Sequence, residues 1–185
     1  MTNNPDDRYG TLIAIGGAED REQELEVLSK VFDFTPDASD EVTVIATESG
    51  IPEEILPIHE EAFQRIGASR LHSLSVRERK DAADPANVEL IQRSGVIFFT
   101  GGDQLRLTNI LGGSDMLKAI RNHYVNGGVI AGTSAGAVAQ STTMIYNGGA
   151  ADALRKGAVK IARGSASSRG SSSIAISSSA GDSRA

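Results

Sequence analysis

Short runs of uninterrupted apolar residues alternate along most of the chain with stretches whose apolar positions recur every three or four residues. The runs "TLIAI" (11–15), "VTVIAT" (42–47), "GVIFFT" (95–100) and "GVIAG" (128–132) are too short and too continuously apolar for amphipathic helices. They predict strands buried on both faces. Between them, "EQELEVLSKVF" sets Leu25, Leu28 and Phe32 at helical spacing. "PEEILPIHEEAFQRIG" opens on Pro52 and two acids, a good helix start, with Pro57 expected to kink the helix or delay its onset. "SDMLKAIRNHYVNGG" predicts a helix capped by Ser114 and stopped at Gly127. Strand and helix alternating through short connections imply an α/β fold, a doubly wound, mostly parallel sheet with helices on both faces.

The alternation stops near Gly164. From there "GSASSRGSSSIAISSSAGDSRA" holds ten serines in 22 residues, with only Ile174 and Ile176 as large apolar groups. Such a segment buries too little to offset its ordering entropy, so we expect one α/β domain over 1–163 and a disordered Ser-rich tail over 164–185.

Composition narrows the chemistry. With no cysteine among 185 residues, a disulfide framework and a thiolate metal site are excluded. The net charge of −6 divides unevenly, +5 from Arg155 onward and −11 before it. An acidic body argues against nucleic acid, whose binding requires a basic surface. No stretch has the length of a membrane span, and "MTNNPDDRYG" lacks the basic-then-apolar order of a signal peptide, so we expect a cytoplasmic protein with no membrane partner.

Three glycine-rich turns follow predicted strands. Gly132-Thr133-Ser134-Ala135-Gly136 matches G-x-S-x-G between the strand "GVIA" and the helix-forming "AVAQ". In that context a strained strand-to-helix turn pushes the serine hydroxyl into a cleft, while the amide after it can face an oxyanion. Ser134 is thus a candidate nucleophile, the alternative being a small-residue turn that merely packs helix on strand. "FFTGGDQLRL" brings Gly102, a second candidate oxyanion donor, together with Asp103, Gln104 and Arg106 to the carboxyl edge of the sheet, where open α/β sheets bind ligands. The plain alternative is a turn in which Asp103 caps the next helix. In "AIGGAEDR", Glu19 and Asp20 are as suited to capping a helix as to touching substrate. The spacing fails G-x-G-x-x-G and no G-K-[ST] occurs, so nothing supports a dinucleotide, P-loop chemistry or any other cofactor. The three histidines, His59, His72 and His123, all precede Ser134. We expect His59 and His72 at surface or boundary positions and His123 exposed on its helix, with no spacing that suggests a metal site or a base.

"IGGAEDR", "FFTGGDQLRL" and "VIAGTSAGA", in this order, resemble the cyanophycinases, serine peptidases of the peptidase E clan built on the class I glutamine amidotransferase-like (flavodoxin-like) fold. The resemblance covers about 10–163. Peptidase E, an aspartyl dipeptidase, is the nearest alternative, but its second turn typically reads G-G-N where this chain has Gly101-Gly102-Asp103-Gln104. The resemblance implies hydrolysis of cyanophycin, a poly-aspartate carrying arginine on each β-carboxyl, to β-Asp-Arg dipeptides. Ser134 would be acylated, Ala135 and Gly102 would hold the oxyanion, and Asp103, Gln104 and Arg106 would meet the substrate's mixed charges. The partner expected is therefore cyanophycin or an aspartyl peptide, with a homodimer left open. A non-catalytic relative that binds such a ligand is the competing expectation; an amidotransferase subunit is a third, weakened by the absent cysteine.

After the serine helix the family continues with apolar sequence and a D-x-H-F…R-G-R-L segment whose histidine is the base. Here the serine tract stands instead, so we expect the fold to be incomplete at its C-terminal side and the chain to lack hydrolytic activity. Moving the reading frame back one base turns a serine codon after G or C into valine or leucine. Applied from Ser165, it can recover a D-R-H-F segment in which the histidine falls where Ile176 stands.

Overall fold

The computed structural model describes residues 9–35, 41–46, 52–141, 143–147, 160–163 and 173–176. Strands β1 (Thr11–Ile15), β2 (Glu41–Ile45), β3 (Arg70–Leu74), β4 (Val96–Phe99), β5 (Val129–Thr133) and β8 (Ser173–Ile176) form one sheet in the order β3-β2-β4-β5-β1-β8. Every neighbouring pair in it is parallel. Strands β6 (Thr143–Asn147) and β7 (Lys160–Arg163) pair antiparallel in a separate two-stranded sheet.

The continuous apolar runs become strands because both sheet faces are covered. Val96 and Phe98 point to one face, packed with α1 (Glu26–Phe32) and α2 (Pro52–Arg65) through Leu28, Val31, Leu56 and Phe63. Ile97 and Phe99 point to the other, packed with α3 (Pro85–Arg93), α4 (Gln104–Leu111), α5 (Asp115–Val125) and α6 (Ala135–Ala139) through Ile91, Leu107, Met116 and Ala139. This is the doubly wound arrangement, with the period-two alternation of a strand feeding two cores.

Local chemistry sets the helix ends. Ser114 caps α5 by accepting from the Leu117 amide at 3.1 Å, and Gly127 follows the helix in the left-handed region (φ 92°). Helix α2 starts at Pro52 and runs through Pro57, so the onset is not delayed. Pro57 forgoes only the bond to the Glu53 carbonyl, one turn into the helix.

The tail departs from expectation at one place. Residues 173–176, within the segment expected to be disordered, add a parallel strand to the open edge of β1, pairing Ile13 with Ile174 and Ile15 with Ile176. An edge strand offers a row of unpaired amides and carbonyls, which even a serine-rich segment can satisfy through its backbone. The remainder of 164–185 lies outside the described residues, as do residues 47–51.

Candidate active site

Ser134 is exposed, although the strand before it and Ala135 and Gly136 after it are buried. Its backbone takes φ 51° and ψ −112°, a left-handed value at a residue with a Cβ, which marks stored strain at the junction of β5 and α6. The Ser134 amide donates to the Ile15 carbonyl at 2.9 Å, tying the turn to the end of β1.

Two glycine turns flank it. A Cβ at Gly17 (φ 99°) would lie 3.3 Å from the Ser134 Cβ, and one at Gly101 would lie 3.4 Å from it. The turns after β1, β4 and β5 therefore meet at the carboxyl edge, because β4, β5 and β1 are neighbours in the sheet. Gly136 lets α6 approach β4 so closely that a Cβ there would sit 2.7 Å from the Phe99 and Thr100 carbonyl oxygens.

The other predicted residues fall around this point. Ala135 is the first residue of α6, so its amide has no acceptor within that helix. Gly102 (φ 150°) is exposed in the turn after Gly101. Asp103 caps α4, its Oδ1 accepting from the Leu105 and Arg106 amides at 2.8 and 3.0 Å, so that carboxylate holds the helix start. Gln104 begins α4 half-buried, and Arg106 is exposed in its first turn; α4 in turn packs on α6.

The first loop is built from the same kind of strain. Ala18 has φ 54° and Leu25 φ 54°. Asp20 accepts from the amides of Glu22, Gln23, Glu24 and Leu25. Those bonds, led by the Gln23 and Glu22 amides, lower its pKa to about 2. Asp20 thus ties together the loop before α1 rather than capping the helix, whose N-cap, Leu25, receives no side-chain bond. Glu19 instead turns inward, 5% exposed, with Oε2 accepting from the Thr133 hydroxyl at 2.5 Å. Burial alone would raise the Glu19 carboxyl, but the His59 imidazole and the Thr133 hydroxyl facing it outweigh that and hold it below the usual range.

Two histidine expectations are corrected. His59 is core, 1% exposed, with Nε2 3.6 Å from Glu19 Oε1 and Nδ1 donating to the Ile55 carbonyl at 2.9 Å. The signal was legible, since Leu56, His59 and Phe63 share one helical stripe. His123 is half-buried rather than exposed, its Nε2 donating to the Val129 carbonyl at 3.1 Å, and burial lowers its pKa. His72 lies in β3 at a boundary position as expected, 2.7 Å from Glu41 at the start of β2. His72 and His123 thus engage the amino ends of β2 and β5, the edge opposite Ser134.

The sequence profile of peptidase family S51 matches residues 12–156. The chain belongs to peptidase family S51. Its S51-type sequence is 32% identical over 155 residues to the cyanophycinases of Nostoc sp. and Trichormus variabilis, covering 83% of this chain and 52% of each relative. The chain thus spans about half the length of the curated relatives it matches. Among solved structures, a peptidase from an acI-B1 Actinobacterium is similar with a TM-score of 0.65 at 26% identity, covering 76% of this chain and 60% of that one. Among the described residues, no helix of this S51 chain is long and apolar enough to cross a membrane.

Proposed function

We propose that this S51 chain carries the nucleophile half of a cyanophycinase-type serine peptidase, with Ser134 as the acylated residue. The observation that carries the proposal is an exposed serine on a strained turn between two glycine turns, in a chain otherwise buried at that point. In the reaction, Ser134 Oγ attacks a carbonyl of the aspartyl backbone, and the developing oxyanion is held by the amides of Ala135 and Gly102. The amine leaves with the proton that the serine gave up, and water then hydrolyses the ester to free Ser134. Gln104 and Arg106 meet the polar substrate; Asp103 contributes by fixing the start of α4. The half-length match to cyanophycinases favours the aspartate-arginine polymer over an aspartyl dipeptide as substrate.

A base is needed to take the serine proton, and each of the three histidines is engaged elsewhere. We therefore expect no cyanophycin hydrolysis by the 185-residue chain beyond the residual acceleration of about 10³–10⁴ that an oxyanion hole and binding supply without a complete triad. Purified chain that releases β-Asp-Arg at roughly 1 per second or faster, and stops doing so in Ser134→Ala, refutes this. The frame-shifted decoding gains a reason from the fold. Ile176, where a histidine falls in the alternative frame, pairs with Ile15, one residue before the Gly16-Gly17 turn that borders Ser134. Sequencing the DNA around codon 164 decides it: unless the codon before Ile176 ends in C, no histidine is recovered and the frame proposal fails.

A further inference from the structure

Beneath Ser134 lies a buried polar chain that the proposed chemistry does not use. It runs from His59 on α2, through Glu19 in the first loop, to Thr133, the last residue of β5 and the one before Ser134. These three residues are 1%, 5% and 4% exposed. The two Glu19 oxygens are divided between the partners, Oε2 to Thr133 at 2.5 Å and Oε1 to His59 Nε2 at 3.6 Å. His59 Nε2 has no hydrogen-bond partner within 3.5 Å, while Nδ1 must carry a hydrogen because the Ile55 carbonyl can only accept.

Such an arrangement is a poor way to stabilise a core. Desolvating an acid and an imidazole is costly, and apolar replacement of a whole buried ionic group is often neutral or stabilising. What this group does provide is direction. Glu19 follows two positive-φ residues, Gly17 and Ala18, and Gly17 packs on the Ser134 Cβ. The Glu19–Thr133 bond therefore joins the loop that borders the nucleophile to the strand that presents it, and His59 fixes which way the carboxylate points.

We propose that Glu19 is a positioning residue, which, oriented by His59 and bound to Thr133, holds the Ser134 turn in its strained, exposed conformation. This rests on Ser134 as nucleophile only where reactivity is measured; its geometric content stands apart. The test uses the full 185-residue chain and the variants Thr133→Val, Thr133→Ser, and the triple apolar variant His59→Leu/Glu19→Leu/Thr133→Val. The readouts are thermal unfolding, the crystallographic φ of residue 134 with its amide shifts in solution, and the rate of fluorophosphonate labelling at Ser134.

We expect the triple variant to melt close to the parent, while Thr133→Val and the triple variant both lose the left-handed φ at Ser134. Labelling in both should fall by about 10²-fold, the loss that a misplacement of about 1 Å produces. Thr133→Ser, which keeps the hydroxyl, should restore geometry and labelling. Unchanged φ and amide shifts at Ser134 in Thr133→Val and in the triple variant overturn the proposal, as does a labelling loss that only tracks a lowered melting temperature. A parent chain that never labels is what the absent base predicts, and the φ comparison alone then decides the role of Glu19.

Discussion

Replacing Gly136 by alanine tests how tightly the turn at Ser134 is built. The new Cβ would stand 2.7 Å from three atoms, Phe99 Cβ and the Phe99 and Thr100 carbonyl oxygens, where ordinary contact begins near 3.4 Å. Two of those atoms are backbone at the end of a buried central strand, so they cannot swing aside as a side-chain tip could. Helix α6 must retreat by about 0.7 Å or the end of β4 must distort. Overpacking of this kind costs about 1–3 kcal/mol. Alanine regains about 0.5–1 kcal/mol of helix propensity and backbone entropy over glycine. The net loss is then up to about 2.5 kcal/mol and centred at about 1 kcal/mol, a fall in Tm of about 2–4 °C at that centre for a domain of this size. Gly16→Ala is the control, since its Cβ would meet nothing within 4 Å and its φ is not in the left-handed region. Urea unfolding followed by far-UV circular dichroism reads both. If Gly136→Ala and Gly16→Ala share one midpoint, the close approach of α6 to β4 is not a real constraint on the turn.

Relief of strain at Ser134 should be measurable: Ser134→Gly is expected to exceed Ser134→Ala in stability by about 1 kcal/mol, because only glycine adopts φ 51° without penalty. Equal stabilities would remove the claim of strain. Asp103→Ala should lower stability by about 1 kcal/mol through loss of the α4 cap, visible as an earlier unfolding midpoint. The Asp20 carboxylate, with its folded pKa lowered to about 2 from 3.8, supports its loop fully above pH 3.8 and loses that contribution as the pH falls through about 2. Protection of the Glu24 and Leu25 amides, taken relative to their intrinsic exchange rates at each pH, should therefore fall over that window, and Asp20→Asn should remove that change; protection that is constant from pH 5 to 2 contradicts it.

The central strands were legible because each is a bare apolar run, and only burial on both faces explains such a run. Strand β3 was not, since Arg70, His72 and Ser73 interrupt it. It lies at the sheet edge with one neighbour, β2, where polar side chains are tolerated. Pairing of β8 escaped notice for a related reason, because joining the edge of β1 depends on backbone groups that composition does not report. At the site, glycines at turns announced Ser134 and its two flanking loops, as only small residues permit that proximity. Neither the burial of Glu19 nor its contact with His59 could be seen, since residues 19, 59 and 133 are distant in sequence and meet only through the strand order.

The position of β1 in the sheet has a bearing on how the protein comes into being. Strand β1 is made first, but its neighbours are β5 and β8, the former roughly 120 residues later in the chain. At ribosomal rates of about 5–20 residues per second, "TLIAI" waits roughly 6–24 s for its first partner. Strands β2, β3 and β4 can pair among themselves as they emerge, since they are contiguous in the sheet. The bond from the Ser134 amide to the Ile15 carbonyl closes only once β5 has emerged, joining the first strand of the sheet to one made much later. The Ser134 turn is thus withheld until synthesis has passed residue 134, and a holding chaperone would find its binding segment in β1.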